Sequence, residues 1–205
     1  MIPIQQGTIR GVLHEPAAPS GKGLVLTHGA GANSKAPLLV AVASAFCEAG
    51  WFVLRCDLPF RQARPFGPPA PAAAARDRAG LRDAAGFLRA RAVARLLLGG
   101  HSYGGRQASM LAAEDPEAAD ALLLLSYPLH PPQKPQQLRT RHFPALRTPA
   151  LFVHGTKDPF GSIAEMEEAR KLIPAQTRLI AIEKAAHDLA RGKFDLAALV
   201  DCELF

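Results

Sequence analysis

Apolar and polar positions follow two rhythms along this chain, and the rhythms take turns. Short apolar runs, read as strands, cover residues 8–14, 23–27, 51–56, 93–98, 121–126, 150–154 and 177–183. The middle five are nearly continuous in apolar residues, the pattern of parallel strands covered on both faces. Between them the apolar spacing changes to three and four. Leu38, Leu39, Val42 and Phe46 share a helical face, with Ser34 as the expected N-cap and Gly50 as the stop. Leu81, Ala85 and Leu88 mark a second stripe, and Ser162 with Glu165 reads as a capping box ahead of Ile163, Met166 and Ala169. A last helix is predicted over 190–200. This alternation predicts one α/β domain over residues 1–205, a three-layer α/β/α sandwich on a mostly parallel, doubly wound sheet of about seven strands.

Two segments break the rhythm. Residues 58–75 hold five prolines followed by an alanine run, and residues 127–149 hold six prolines. Both follow strand C-termini, where open α/β sheets place their ligand sites. Neither is long enough to be a cap domain.

Composition narrows the class. A chain of 205 residues, 48% hydrophobic, can bury a core without disulfides. No apolar stretch approaches the roughly 20 residues that span a bilayer, and the first residues carry neither part of a secretory signal. Cys47, Cys56 and Cys202 are odd in number and far apart. The expectation is a soluble cytoplasmic protein. The net charge of +6 raises the question of nucleic acid. However, the densest basic group, Arg76, Arg78, Arg82, Arg89, Arg91 and Arg95, is interleaved with alanine and lacks aromatic neighbours. It reads as a solvated helix face, so neither a nucleic-acid nor a membrane partner is expected.

The sharpest local signal lies after the strand at 93–98, where Gly100, Ser102 and Gly104 form G-x-S-x-G. A serine on a sharp strand-to-helix turn has a strained backbone, and side chains two residues either way would collide with the strand and helix. The helix it opens aims free N–H groups at a reacting oxygen. A nucleophilic serine needs a base, and the base needs an orienting acid. His14, His28, His101 and His154 lie too early or at strand ends, and His130 and His142 sit in the proline-rich segment. His187, just beyond the last strand, is in place to be the base. Asp158 is the only acid in the loop after 150–154, whereas Asp188 adjoins the base and is badly placed to hold its ring. Oxyanion donors are expected from the N–H groups of Tyr103 and of Ala30, in the small-residue loop His28-Gly29-Ala30-Gly31-Ala32-Asn33. A dinucleotide fingerprint fails in that loop, because Ser34 stands where the third glycine is required. No metal or cofactor is implied. Arg61 and Arg106 lie near the predicted mouth, either as contacts for an acidic substrate or as surface charges.

Taken together, Gly100–Gly104, Asp158, His187 and the His28-Gly29 loop, in this chain order, resemble the α/β-hydrolase superfamily. The strings HGAGAN, GGHSYGGR, YPLHPPQKP and GTKDPFG are similar to those of small, cap-less, dienelactone-hydrolase-like bacterial hydrolases. That branch also resembles the hydrolase-like domain of a subunit of the mammalian non-specific-lethal chromatin complex. The resemblance implies the α/β-hydrolase fold and a hydrolytic reaction, and supplies no substrate. Two departures stand out. Dienelactone hydrolases proper use a Cys nucleophile where this chain has Ser102, so their lactone cannot be carried over. The resemblance also implies glycines where Ser126 and Ala185 stand. The leading expectation is a serine hydrolase of small carboxylic or thio esters, acting through an acyl-enzyme on Ser102. The alternative is a hydrolase-fold interaction module whose triad is idle.

Overall fold

The computed structural model describes residues 1–190 and 195–204. Its strands are β1 (Ile2–Gln6), β2 (Ile9–His14), β3 (Lys22–Thr27), β4 (Phe52–Cys56), β5 (Arg95–His101), β6 (Ala121–Leu125), β7 (Ala150–Gly155) and β8 (Thr177–Ile182). They form one eight-stranded sheet in the order β1-β2-β4-β3-β5-β6-β7-β8. The first two pairings are antiparallel, and every pairing from β4 to β8 is parallel. The strand beyond the expected seven is β1, an edge hairpin partner of β2. Its side chains are almost all exposed, so it carries no apolar alternation for a periodicity argument to find.

The continuous apolar runs are explained by cover on both faces. Val25, Leu54, Leu98, Leu122, Leu124 and Phe152 point to one side, and Leu24, Leu26, Val53, Leu97, Leu123 and Leu151 to the other. The first face is packed by α3 (Ala74–Arg89), α4 (Tyr103–Glu114) and α5 (Ile163–Arg170). The second is packed by α1 (Pro37–Glu48) and α6 (Ala197–Val200). A five-residue helix, α2 (Pro59–Ala63), sits between β4 and α3. No segment forms a cap among the described residues.

Helix ends follow local chemistry, with one correction. Ser34 does not cap α1; Ala36 does, in an extended conformation and without a side-chain bond. Pro37 at the first helical position supplies the reason: it needs no N–H partner, and it pushes its predecessor out of the α region. At the other end Gly50 adopts φ +89°, its N–H reaching Cys47 O while Trp51 N–H reaches Phe46 O. That pair of bonds is a Schellman stop, closed by an edge-on Phe46–Trp51 ring contact. The capping box of α5 is present in both directions. Of the helix predicted over 190–200, the described residues are helical only over Ala197–Val200, residues 190, 195 and 196 being outside the helix; residues 191–194 lie outside the described residues.

The arginines of α3 are less idle than a solvated face. Arg78, Arg82 and Arg89 pair with Glu114, Asp115 and Asp120 at and beyond the end of α4.

Candidate active site

Four segments meet beyond the C-terminal ends of β3, β5, β7 and β8. Ser102 joins β5 to α4 with φ +52° and ψ −114°, a left-handed backbone that only a fixed turn imposes on a non-glycine residue. The flanking glycines make the turn possible. A Cβ on Gly100 would lie 2.6 Å from Gly105 N, and one on Gly104 would lie 2.5 Å from Thr27 Oγ1 and 2.7 Å from His28 O.

His187 Nε2 lies 2.8 Å from Ser102 Oγ, and His187 Nδ1 lies 2.8 Å from Asp158 Oδ2. The Asp158 side chain is fully buried, and its Oδ1 accepts the Phe160 N–H at 2.8 Å. Two rings pack on His187: Phe160 at 4.2 Å between centroids and His101 at 5.1 Å. The His101 Nε2 is 2.7 Å from the His187 carbonyl, which makes Nε2 the protonated nitrogen of that ring. Burial lowers the His101 pKa, keeping the ring neutral beside His187. In the sequence His101 lies at a strand end, too early to be the base; its packing on His187 depends on a contact 86 residues away.

Ser102, Ala30 and Tyr103 line one cavity of about 570 Å³. Among the described residues neither the Ala30 nor the Tyr103 N–H donates a hydrogen bond. The loop bearing Ala30 is held from below. His28 is buried, with Nδ1 2.8 Å from Gly29 O while Nε2 accepts the Leu58 N–H at 3.1 Å. Burial lowers its pKa, which suits a neutral ring in both roles. Tyr103 is tied down by its hydroxyl, which donates to Asp77 at 2.7 Å. Asp77, fully buried in α3, also accepts the Phe60 N–H, and burial raises its pKa. No sequence motif marks Asp77, whose partners come from two other helices.

Residues 20–197 match the alpha/beta hydrolase domain family. The chain belongs to the alpha/beta hydrolase family. The dienelactone hydrolase of Anabaena variabilis is similar to it, with 25% identity and a TM-score of 0.73 over 94% of this chain and 87% of that one. Two further folds are similar. Est1E from Butyrivibrio proteoclasticus has 17% identity and a TM-score of 0.71, covering 98% of this chain and 93% of that chain. The monoacylglycerol lipase of Paleococcus ferrophilus has 13% identity and a TM-score of 0.71, covering 94% and 96%.

Within this hydrolase fold the two arginines flagged by sequence separate. Arg61 is only 7% exposed and donates to the carbonyls of Ala30, Ala32, Arg64 and Gly67 at 2.6–3.1 Å. Its donors are spent on the backbone, so the reading of Arg61 as a substrate contact or a surface charge is corrected to that of a clamp on the Ala30 loop. Arg106 lines the Ser102 cavity. Among the described residues no group of three or more His, Cys, Asp or Glu side chains is placed to hold a metal. Among them, too, no helix is long and apolar enough to cross a membrane. The glycines implied at 126 and 185 meet different fates. Ser126 adopts φ +48°, a conformation that glycine takes without strain, whereas near Ala185 it is Lys184 that turns left-handed, at φ +62°.

Proposed function

We propose that the protein is a serine hydrolase of small carboxylic or thio esters. Ser102 Oγ attacks the ester carbonyl as His187 Nε2 takes its proton, and the Ala30 and Tyr103 N–H groups hold the oxyanion. Collapse of the tetrahedral species expels the alcohol or thiol, which receives the proton from His187 and leaves an acyl-Ser102. Water then attacks the acyl group through the same base, releasing the acid and restoring Ser102. Asp158 holds the His187 tautomer and stabilises the imidazolium; it takes up no proton itself.

The observation that carries this reading is the pair of 2.8 Å contacts from Asp158 through His187 to Ser102, opening into a cavity shared with Ala30 and Tyr103. The likeness to a dienelactone hydrolase adds support, because a lactone is a cyclic ester. Neither connection, after β4 or after β6, builds a cap over the cavity among the described residues, which favours small substrates.

A fluorophosphonate probe is expected to label the protein at Ser102, and Ser102→Ala to abolish labelling. Labelling that persists in Ser102→Ala overturns the assignment. Asp158→Asn is expected to lower kcat for a p-nitrophenyl ester by about 10⁴-fold, the cost of the wrong histidine tautomer.

A further inference from the structure

Beside Ser102 stand two arginines that no carboxylate neutralises among the described residues. Arg106, in the first turn of α4, and Arg139, in the segment between β6 and β7, line the same cavity as Ser102. Both also line an adjoining hollow of about 540 Å³ that reaches Arg141 and His142. Among the described residues neither makes an ion pair, although Arg78, Arg82 and Arg89 on the neighbouring helix all do. Arg106 Nε is buried with no hydrogen-bond partner. Arg139 places one guanidinium nitrogen 3.3 Å from Pro128 O. Burial, and then the Arg106 charge, lower the Arg139 pKa, so the two cations feel each other.

This arrangement is costly on three counts. Like charges repel in a partly dry site, a buried donor lacks an acceptor, and a cation in the first turn of a helix opposes the helix dipole. An anion seated between the guanidinium groups would offset all three, and each planar fork can grip a carboxylate or phosphate with two bonds. Arg106 lies four residues beyond Ser102, about 6 Å along the helix axis. The anion therefore belongs at a short remove from the bond under attack.

We propose that Arg106 and Arg139 form an oxyanion-binding subsite, making the preferred substrate a short ester or thioester that carries a carboxylate or phosphate on its far end. The substrate part of this proposal rests on the serine-hydrolase reading above; the anion site itself does not.

The test separates the two. Methyl hydrogen glutarate, dimethyl glutarate and inorganic phosphate are titrated calorimetrically into Ser102→Ala protein. The half-ester is expected to bind saturably and at least tenfold more tightly than the diester. Adding Arg106→Gln or Arg139→Gln is expected to erase that preference, while Arg139→Lys, which keeps the charge, retains part of it. Competition by phosphate assigns the subsite to oxyanions in general, and its absence assigns it to carboxylates. Half-ester and diester binding alike, or a preference indifferent to both Gln substitutions, overturns the subsite. A variant that merely misfolds loses both ligands together and loses its thermal transition, so the ratio remains the measure. In wild-type protein the half-ester is expected to show the higher kcat/KM. Binding that obeys the arginines with no turnover of either ester overturns the hydrolase reading and leaves the anion site standing.

Discussion

On one side of the Ser102 cleft, Arg61 is enclosed by its own fold, its donors taken by carbonyls of the Ala30 loop and of residues 64 and 67. On the other side, Arg106 carries an unpartnered buried Nε and faces Arg139 across the cavity lining. The side chains are chemically identical. What differs is the supply of acceptors. The loop 28–36 and the segment that follows α2 bring backbone carbonyls to Arg61, whereas Arg106 projects from a helix whose own carbonyls are taken. A guanidinium has five donors in a fixed fork; where the backbone fills them it is a girder, and where the backbone does not it is available to a ligand.

Arg61→Ala strikes hardest at this contrast. It strips a charged donor from four carbonyls at once, and hydrogen bonds to charged groups contribute roughly 1.5–3 kcal/mol each, with water replacing some. A loss of about 4 kcal/mol is expected, lowering Tm by about 8–16 °C for a chain of this size. Because the Ala30 N–H rides on the clamped loop, turnover of neutral and anionic esters should fall alike, by about 10²-fold, the scale of a lost oxyanion donor. Arg106→Gln, which relieves the repulsion with Arg139 and the conflict with the helix dipole, should not lower Tm and should act on the anionic ester. If Arg61→Ala altered only the KM of the anionic ester, with Tm intact, the contrast would be reversed.

Two histidines are also kept neutral, one in β2 and one beside Arg106. His14, 3% exposed, has its pKa lowered to about 4 by burial and then by Arg55, whose Nε donates to His14 Nε2 at 2.9 Å. His142 is lowered to about 4 by burial and then by Arg106 and Arg78. In the unfolded chain both titrate near 6.5, so between pH 6.5 and 4 the unfolded state binds more protons than the folded one. Stability is complete above about pH 6.5 and falls as the pH drops toward 4. For His14 the loss by pH 4 is on the order of 3 kcal/mol. Urea denaturation across this window should show the slope, and His14→Gln should flatten it. His142→Gln should flatten it less, since that ring is more exposed. Glutarate at Arg106 and Arg139 would restore part of the His142 basicity, so added anion should reduce the His142 share and leave the His14 share untouched. Equal suppression of both would mean that the anion binds elsewhere.

The elements readable from sequence are those whose signal is local. The Gly100-x-Ser102-x-Gly104 turn, the single acid Asp158 after β7 and His187 after β8 each follow from a few neighbouring residues and a chain order, and the structure brings the three side chains within hydrogen-bonding distance. The Gly50 stop and the Ser162–Glu165 box are local too. Elsewhere the signal is distributed. Ser34 looked like a cap until Pro37 is weighed, and its backbone instead serves Asp57 and Arg55, some twenty residues on. The strand β1 is exposed and leaves no pattern. Asp77 and Arg139 reach the site through contacts with Tyr103 and with the Ser102 cavity, and nothing in their own neighbourhoods announces this. The fate of Arg61 turns on carbonyls about thirty residues away, which no motif encodes.

The mildest expected effect concerns where the Arg139 segment begins. Ser126 follows β6 at φ +48°, fully buried, with an Oγ that has no hydrogen-bond partner among the described residues. A left-handed non-glycine residue costs about 1–2 kcal/mol, and an unpartnered buried hydroxyl costs about 1 kcal/mol more. Glycine removes both costs, but its unfolded-state entropy takes back about 0.5–1 kcal/mol, and the lost Cβ contacts take a share as well. Ser126→Gly should therefore stabilise the protein by about 1 kcal/mol, raising Tm by about 2–4 °C. Ser126→Ala divides the effect, because it removes the hydroxyl and keeps the strain; its gain should be the smaller of the two. A Tm that falls in both variants would mean that the hydroxyl is bonded in solution, and the strain would then be one the segment carrying Arg139 requires.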